Sequence, residues 1–245
     1  MEVLTAELYI AMGVVFMAGI MRGFSGFGGA MLIMPIFSIL FAPADAVTAM
    51  TCLALISSVQ LFPWAFSRTD WKTIFPICLA TLATIPIGTM VLLMVDPKWM
   101  GRGISLVILV SVVLLLTGYH WKGKPGLFGA LTAGGMAGFI NGAAGAGGPP
   151  VVLYMLASPN TAETNRANMI TFLGFLTFST LVVLAFKGTV SQTVLLRVAW
   201  LAPFFMVSLW IGARLYQRAG DDTYRKVALL ILLLIALFGL FYPGR

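Results

Sequence analysis

Charge is what this chain has least of. Only 9% of its 245 residues are Asp, Glu, Lys or Arg, while 60% are hydrophobic. A soluble domain carries roughly a quarter charged residues. Too few are present here to cover a water-facing surface, which excludes a soluble globular enzyme. Intrinsic disorder is excluded as well, since disordered chains are rich in charge and poor in apolar residues. Histidine occurs once, at His120 beside Trp121, and reads as an interfacial residue. Cysteine occurs twice, at Cys52 and Cys78, both inside apolar runs. Neither a disulfide framework nor a metal site can be built from these. No paired carboxylates and no HExxH motif are present to hold a metal or activate water, so no enzyme, no metal and no cofactor is expected.

The eight acidic residues are Glu2, Glu7, Asp45, Asp70, Asp96, Glu163, Asp221 and Asp222, all at predicted ends or in loops. A proton relay of the usual intramembrane kind therefore lacks its carboxylate. Proton coupling would have to use Asp45 or Glu163, or the titration of a substrate; the coupling ion, H+ or Na+, stays open. The net charge of +7 comes from Lys and Arg set singly or in pairs. Nucleic acid requires a clustered basic stripe, so none is expected as a partner. These residues read instead as loops against an anionic membrane face. Residues 1–9 carry Glu2 and Glu7 but no Lys or Arg, so a cleaved signal peptide is not expected.

What the chain has in abundance is apolar length. A bilayer core takes about 20 helical residues to cross, and six stretches qualify: 45–66, 72–94, 102–119, 164–186, 193–214 and 225–242. Two further segments, 6–41 and 126–157, are too long for one span and are interrupted by glycines. Their interruptions read Arg22-Gly23-Phe24-Ser25-Gly26-Phe27-Gly28-Gly29 and Asn141-Gly142-Ala143-Ala144-Gly145-Ala146-Gly147-Gly148-Pro149-Pro150. Each glycine costs a helix interior about 1 kcal/mol relative to alanine, and the Pro-Pro pair removes backbone donors. Each segment is expected to be two short helices joined by an unwound linker.

The two segments are copies of one another. At an offset of 119, Ala18-Gly19 falls on Ala137-Gly138, and Gly23, Gly26, Gly28 and Gly29 fall on Gly142, Gly145, Gly147 and Gly148. Beyond that the register drifts, and Gly88 pairs best with Gly212. The chain reads as an all-α integral membrane protein of two tandem repeats, 1–121 and 122–245, forming one transport unit. Each repeat is a broken or re-entrant pair followed by three transmembrane helices. If the broken segments dip in and return, loop Lys and Arg (Arg22 left out) divide nine to five between the two faces; a single crossing gives seven to seven. The positive-inside rule favours the first arrangement, with inverted halves and both termini outside.

Inverted repeats with discontinuous helices are a common transporter architecture. Unwound backbone is tolerated in a membrane only where it is buried or lines a cavity, and the helix start beyond a break attracts anions. Arg22, immediately before the first break, is a candidate counter-charge, and Asn141 is its counterpart in the second repeat. The site expected from these residues is Arg22, Ser25, Gly26, Gly28, Gly29, Asn141, Gly145, Gly147 and Gly148. Asn168 and Thr171, three apart on one helix face, would complete it. Gly19, Gly23, Gly138 and Gly142 form GxxxG pairs and read as helix-packing positions.

A duplicated segment with a glycine-rich break, Arg22 to Pro35 and Asn141 to Pro150, followed by three spans, resembles the TauE/SafE sulfite exporter family over nearly the whole chain. The resemblance implies a multi-pass carrier in the bacterial inner membrane for sulfite, sulfonates or sulfoacetate, often acting outward. The sulfur preference comes from the resemblance alone. The alternatives are a carrier of another small solute such as a carboxylate, or a non-transporting membrane scaffold. The oligomeric state is unknown at this stage.

Overall fold

The computed structural model describes residues 6–25, 28–117, 126–157 and 160–216. They form nine helices: α1 (Ala6–Ser25), α2 (Gly29–Leu40), α3 (Pro43–Phe66), α4 (Trp71–Met94), α5 (Pro97–Leu116), α6 (Leu127–Ala144), α7 (Gly148–Leu156), α8 (Ala162–Phe186) and α9 (Gln192–Tyr216). Seven of these are long and apolar enough to cross a bilayer: α1, α3, α4, α5, α6, α8 and α9. The described residues are all-helical, and the protein is a multi-pass membrane protein. The expected span 225–242, His120 and Gly26 lie outside the described residues.

The spans fall where apolar length put them, with ends set by local chemistry. Pro43 opens α3 at a position where its missing N–H costs nothing. Asp70 caps α4 by accepting from the Lys72 amide, and Thr161 caps α8 by accepting from the Thr164 amide. The α5 helix begins at Pro97, five residues before the expected start, because proline is also well placed there.

The expectation of two short helices per broken segment is corrected. The first arms are full-length, 20 residues in α1 and 18 in α6, and only the returning arms α2 and α7 are short, at 12 and 9. The glycines inside the first arms do not break them because they serve packing. Built-in Cβ atoms at Gly134, Gly138 and Gly142 would overlap the α4 backbone at Ile77, Thr81 and Ile85. Gly19 and Gly23 meet α9 at Phe205 and Leu209 in the same way. The backbones approach so closely that no side chain fits between them, which is how small residues hold helices together in lipid. Gly13 is the exception on α1, with nothing near its Cβ position. Gly13→Ala is expected to raise stability by about 0.5–1 kcal/mol; a thermal melt in detergent checks this, and a lower melting temperature would mean that the face is occupied.

These contacts interleave the chain. The most extensive helix pairs are α4 with α6 and α1 with α9, each joining a broken segment to the second span of the other half. Within both pairs the chains run in the same direction, since Gly134 and Gly142 meet Ile77 and Ile85, and Gly19 and Gly23 meet Phe205 and Leu209. Helices α3 and α8 run oppositely: Thr48 bonds Thr189, Gly174 faces Ser58, and Arg68 bonds Glu163. At one end, α8 starts beside the start of α4, where the Asn168 side chain accepts from the Asp70 amide. At the other, α3 starts beside the start of α9 through the Asp45–Arg197 ion pair at 3.2 Å. Burial is deepest in the centre: the α3 window is 61% buried, against 33% for α4 and α9, whose outer faces carry apolar side chains suited to lipid.

Candidate functional site

Both breaks turn on glycine in the left-handed region. Gly28, the N-cap of α2, has φ 90°, and Gly145, the C-cap of α6, has φ 65°. A side chain at either position would be strained, so these two glycines set the reversals. In each case the chain folds back on its own first arm: Gly29 packs on Ala18 and Arg22, and Gly147 packs on Ala137 and Asn141.

The two reversals meet at one cavity of about 20 Å³. Its wall includes Arg22 and Gly28 from the first half and Asn141, Gly145, Gly147 and Gly148 from the second. Six of the residues expected from sequence are thus brought together across a separation of more than a hundred positions. The volume holds about one water, so a larger ligand requires the walls to part.

Arg22 is 4% exposed. Its Nη2 donates to the Ser58 hydroxyl at 3.2 Å and the Ala54 carbonyl at 3.4 Å, both on α3, while its Nε has no partner. A buried guanidinium with an unused donor and no carboxylate among those partners is costly. The described groups leave the cation incompletely satisfied.

Asn141, buried to a similar degree, uses its side chain internally. Its Oδ1 accepts from the Gly147 amide at 3.1 Å, and its Nδ2 donates to the Thr180 hydroxyl at 2.9 Å. It fixes the second break to α6 and α8. The first turn of α7 is poor in donors, because Pro149 and Pro150 have none and the Gly147 amide is taken. Among the described side chains of the wall, the unused donor is Arg22 Nε. The hydroxyls of Thr51 and Thr177, also in the wall, donate to the Val47 and Leu173 carbonyls.

Asn168 and Thr171 are buried but are not in the cavity wall. Asn168 accepts from the Asp70 amide, and Thr171 bonds Thr69 at 2.7 Å, so both seal α8 to the turn between α3 and α4. Gly29 lies behind Arg22 rather than in the wall. Of Ser25, only the backbone, which ends α1, is described. Sequence reasoning missed Met31, Met50, Leu173 and Thr177, which complete much of the wall. Thr177 was reachable, since the 119-residue offset carries Ser58 onto it. The apolar three gave no signal that separates a cavity wall from core.

Polar closures lie at both ends of α3. At one, Arg68 pairs with Glu163 at 2.9 Å, and Arg68 and Arg166 both stack on Trp64. Arg166 also donates to the Gly23 carbonyl at the end of α1. Asp70 sits beside this closure, and the Thr73 hydroxyl, donating at 2.7 Å, holds its carboxyl below the usual carboxylate range. A carboxyl acidified by folding lends stability above its ordinary titration range, and that contribution is lost as pH falls through the range toward the folded value. The melting temperature is expected to decline in acid, and Asp70→Asn, which keeps a capping oxygen, should flatten that decline. Thermal unfolding between about pH 3 and pH 7 measures it; an unchanged acid limb in the variant removes Asp70 from the effect.

No solved structure matches the chain. One curated relative, described as "Probable sulfite/organosulfonate exporter TauE" from Cupriavidus necator, is 26% identical over 222 residues, covering 85% of this chain and 84% of the relative. The sequence profile described as "Sulfite exporter TauE/SafE" matches residues 11–239, from within the first broken segment to within the last expected span. With the match running almost end to end, the chain belongs to the TauE/SafE sulfite exporter family.

Proposed function

We propose that the protein is a secondary transporter that moves a small sulfur-containing anion, of the sulfite, sulfonate or sulfoacetate type, across the bacterial inner membrane by alternating access, in the export direction. The family and the printed description of its relative support the sulfur anion. The observation that carries the reading is Arg22: a buried cation with a spare donor, set in a cavity where two backbone reversals from separate halves meet. Its guanidinium can bond two oxygens of one anion at once, and Gly28, Ala30 and Met31 at the start of α2 line the same wall.

Alternating access is read from the arrangement of the halves. Equivalent helices α3 and α8 run oppositely, and each broken segment has its first arm against the second span of the other half, which fits inverted repeats with re-entrant segments. Separate polar closures at the two ends of α3 would open in turn around the cavity. Asn168 and Thr171 belong, on this reading, to one closure rather than to the ligand shell. The ion-paired Asp45 and Glu163 lie in these closures too.

Purified protein in proteoliposomes is expected to move radiolabelled sulfite and methanesulfonate but not acetate. Movement of acetate alone overturns the sulfur assignment in favour of a carboxylate carrier. No movement of any of the three overturns transport and favours a scaffold.

A further inference from the structure

An anion crossing lipid brings its charge with it, and the protein must balance that charge at the site and supply energy to move it. Among the described residues, Arg22 is the sole charged side chain in the cavity wall. With one negative charge bound there, the site is neutral. With two, an uncompensated charge stays in a low-dielectric interior, which is strongly unfavourable. The remainder of the wall suits an apolar appendage: Ala30, Met31, Met50, Ala54 and Leu173 lie around the cation, and methionine adapts to irregular groups.

The acidic residues are the second half of the argument. Among the described residues, Glu7 and Asp96 are exposed, Asp45 pairs with Arg197, Glu163 pairs with Arg68, and Asp70 caps α4. None lines the cavity. The groups facing Arg22 from α3 are a hydroxyl and a carbonyl, and the neighbour from α2 is Gly29. The other three acids are Glu2, Asp221 and Asp222, and residues 223–245 contain none. Among the described residues, a coupling proton or sodium ion therefore finds no carboxylate in the cavity wall.

We propose that the chain carries a monovalent organosulfonate, R–SO3−, as one net negative charge per cycle, driven by the membrane potential and with no coupling cation. This rests on the sulfur-anion reading above and narrows it to its monovalent members, leaving out sulfoacetate, a dianion at neutral pH. Empty, the site holds the charge of Arg22; loaded, it is neutral; the difference between outward and return steps is the anion's own charge. A potential negative inside then drives the anion out.

The test uses the full chain in proteoliposomes, with labelled methanesulfonate as probe and potentials set by potassium gradients and valinomycin. A potential of about 100 mV, positive inside, is expected to accumulate the probe about 50-fold, the equilibrium ratio for one charge. The ratio should be unaffected by imposed pH or sodium gradients. Ethanedisulfonate, which carries two charges, should neither accumulate nor compete. Accumulation that ignores the potential and follows a pH or sodium gradient overturns the inference while leaving sulfur-anion transport standing. Equal competition by ethanedisulfonate overturns the monovalent selection. Absence of sulfonate flux under every gradient removes the underlying reading and this inference with it.

Discussion

Arg22→Met is expected to lower sulfonate flux by at least about 100-fold while leaving the protein as stable as before or more so. The two effects have one cause. The guanidinium is withdrawn from water, bonded on one nitrogen to neutral α3 groups, and unpartnered at Nε. Replacing buried charges by apolar side chains of similar volume is often neutral or stabilising by about 1–4 kcal/mol. Methionine fits beside Met21, Met31 and Met50, and Ser58 keeps its own bond to the Ala54 carbonyl at 2.8 Å. Transport moves the other way. Removing one partner of a buried ion pair costs about 3–5 kcal/mol, which is about two to nearly four orders of magnitude in binding. Ligand-induced thermal stabilisation by methanesulfonate should vanish with it. Arg22→Lys keeps the charge but loses the planar fork, so intermediate flux is expected. Undiminished flux in Arg22→Met, or a melting temperature well below wild type, would make Arg22 a structural tie between α1 and α3 and take it out of the site.

That opposition between stability and activity marks what could be read from sequence. Span positions were legible because lipid imposes a minimum apolar length, and α3, α4, α8 and α9 fall close to it. The breaks were legible as well, from the clustered glycines at 26–29 and 145–148, the second cluster followed by Pro149-Pro150. The unequal arms were not. Glycine at 19, 23, 138 and 142 packs helices, as the GxxxG spacing indicated, while glycine at 28 and 145 turns the chain; that spacing did not show that the packed stretches belong to full-length first arms. The drift of the repeat at Gly88 and Gly212 had a structural meaning: each glycine faces the first arm of the opposite broken segment, at Phe139 and Ile20. The cavity lining was half legible. Arg22, Asn141 and the glycines stood out against an apolar background, whereas Met31 and Leu173 looked like any core residue. The spacing of Asn168 and Thr171 correctly gave one face of a helix; it could not say that the face meets the α3–α4 turn.

Two adjacent glycines give the sharpest test of the break itself. Gly147→Ala is expected to destabilise the protein by about 3–5 kcal/mol, and Gly148→Ala to change stability by no more than about 0.5 kcal/mol. At Gly147 a Cβ would overlap the Ala137 carbonyl and come within 2.6 Å of the Asn141 Cβ. One is backbone and the other is a side-chain root, so neither can swing aside. The reversal must shift bodily, and the Gly147 amide then leaves the Asn141 side chain, adding an unsatisfied buried donor to the steric cost. At Gly148 the nearest atom to a Cβ is Leu173 Cδ2 at 3.8 Å, ordinary contact, and the added methyl projects toward the cavity wall. Gly148→Ala should therefore fold normally and lose flux by filling space that a ligand needs. Thermal unfolding in detergent separates the pair. Similar melting temperatures for both variants would mean that the second break is pliable, with the Asn141–Gly147 bond contributing little to its shape.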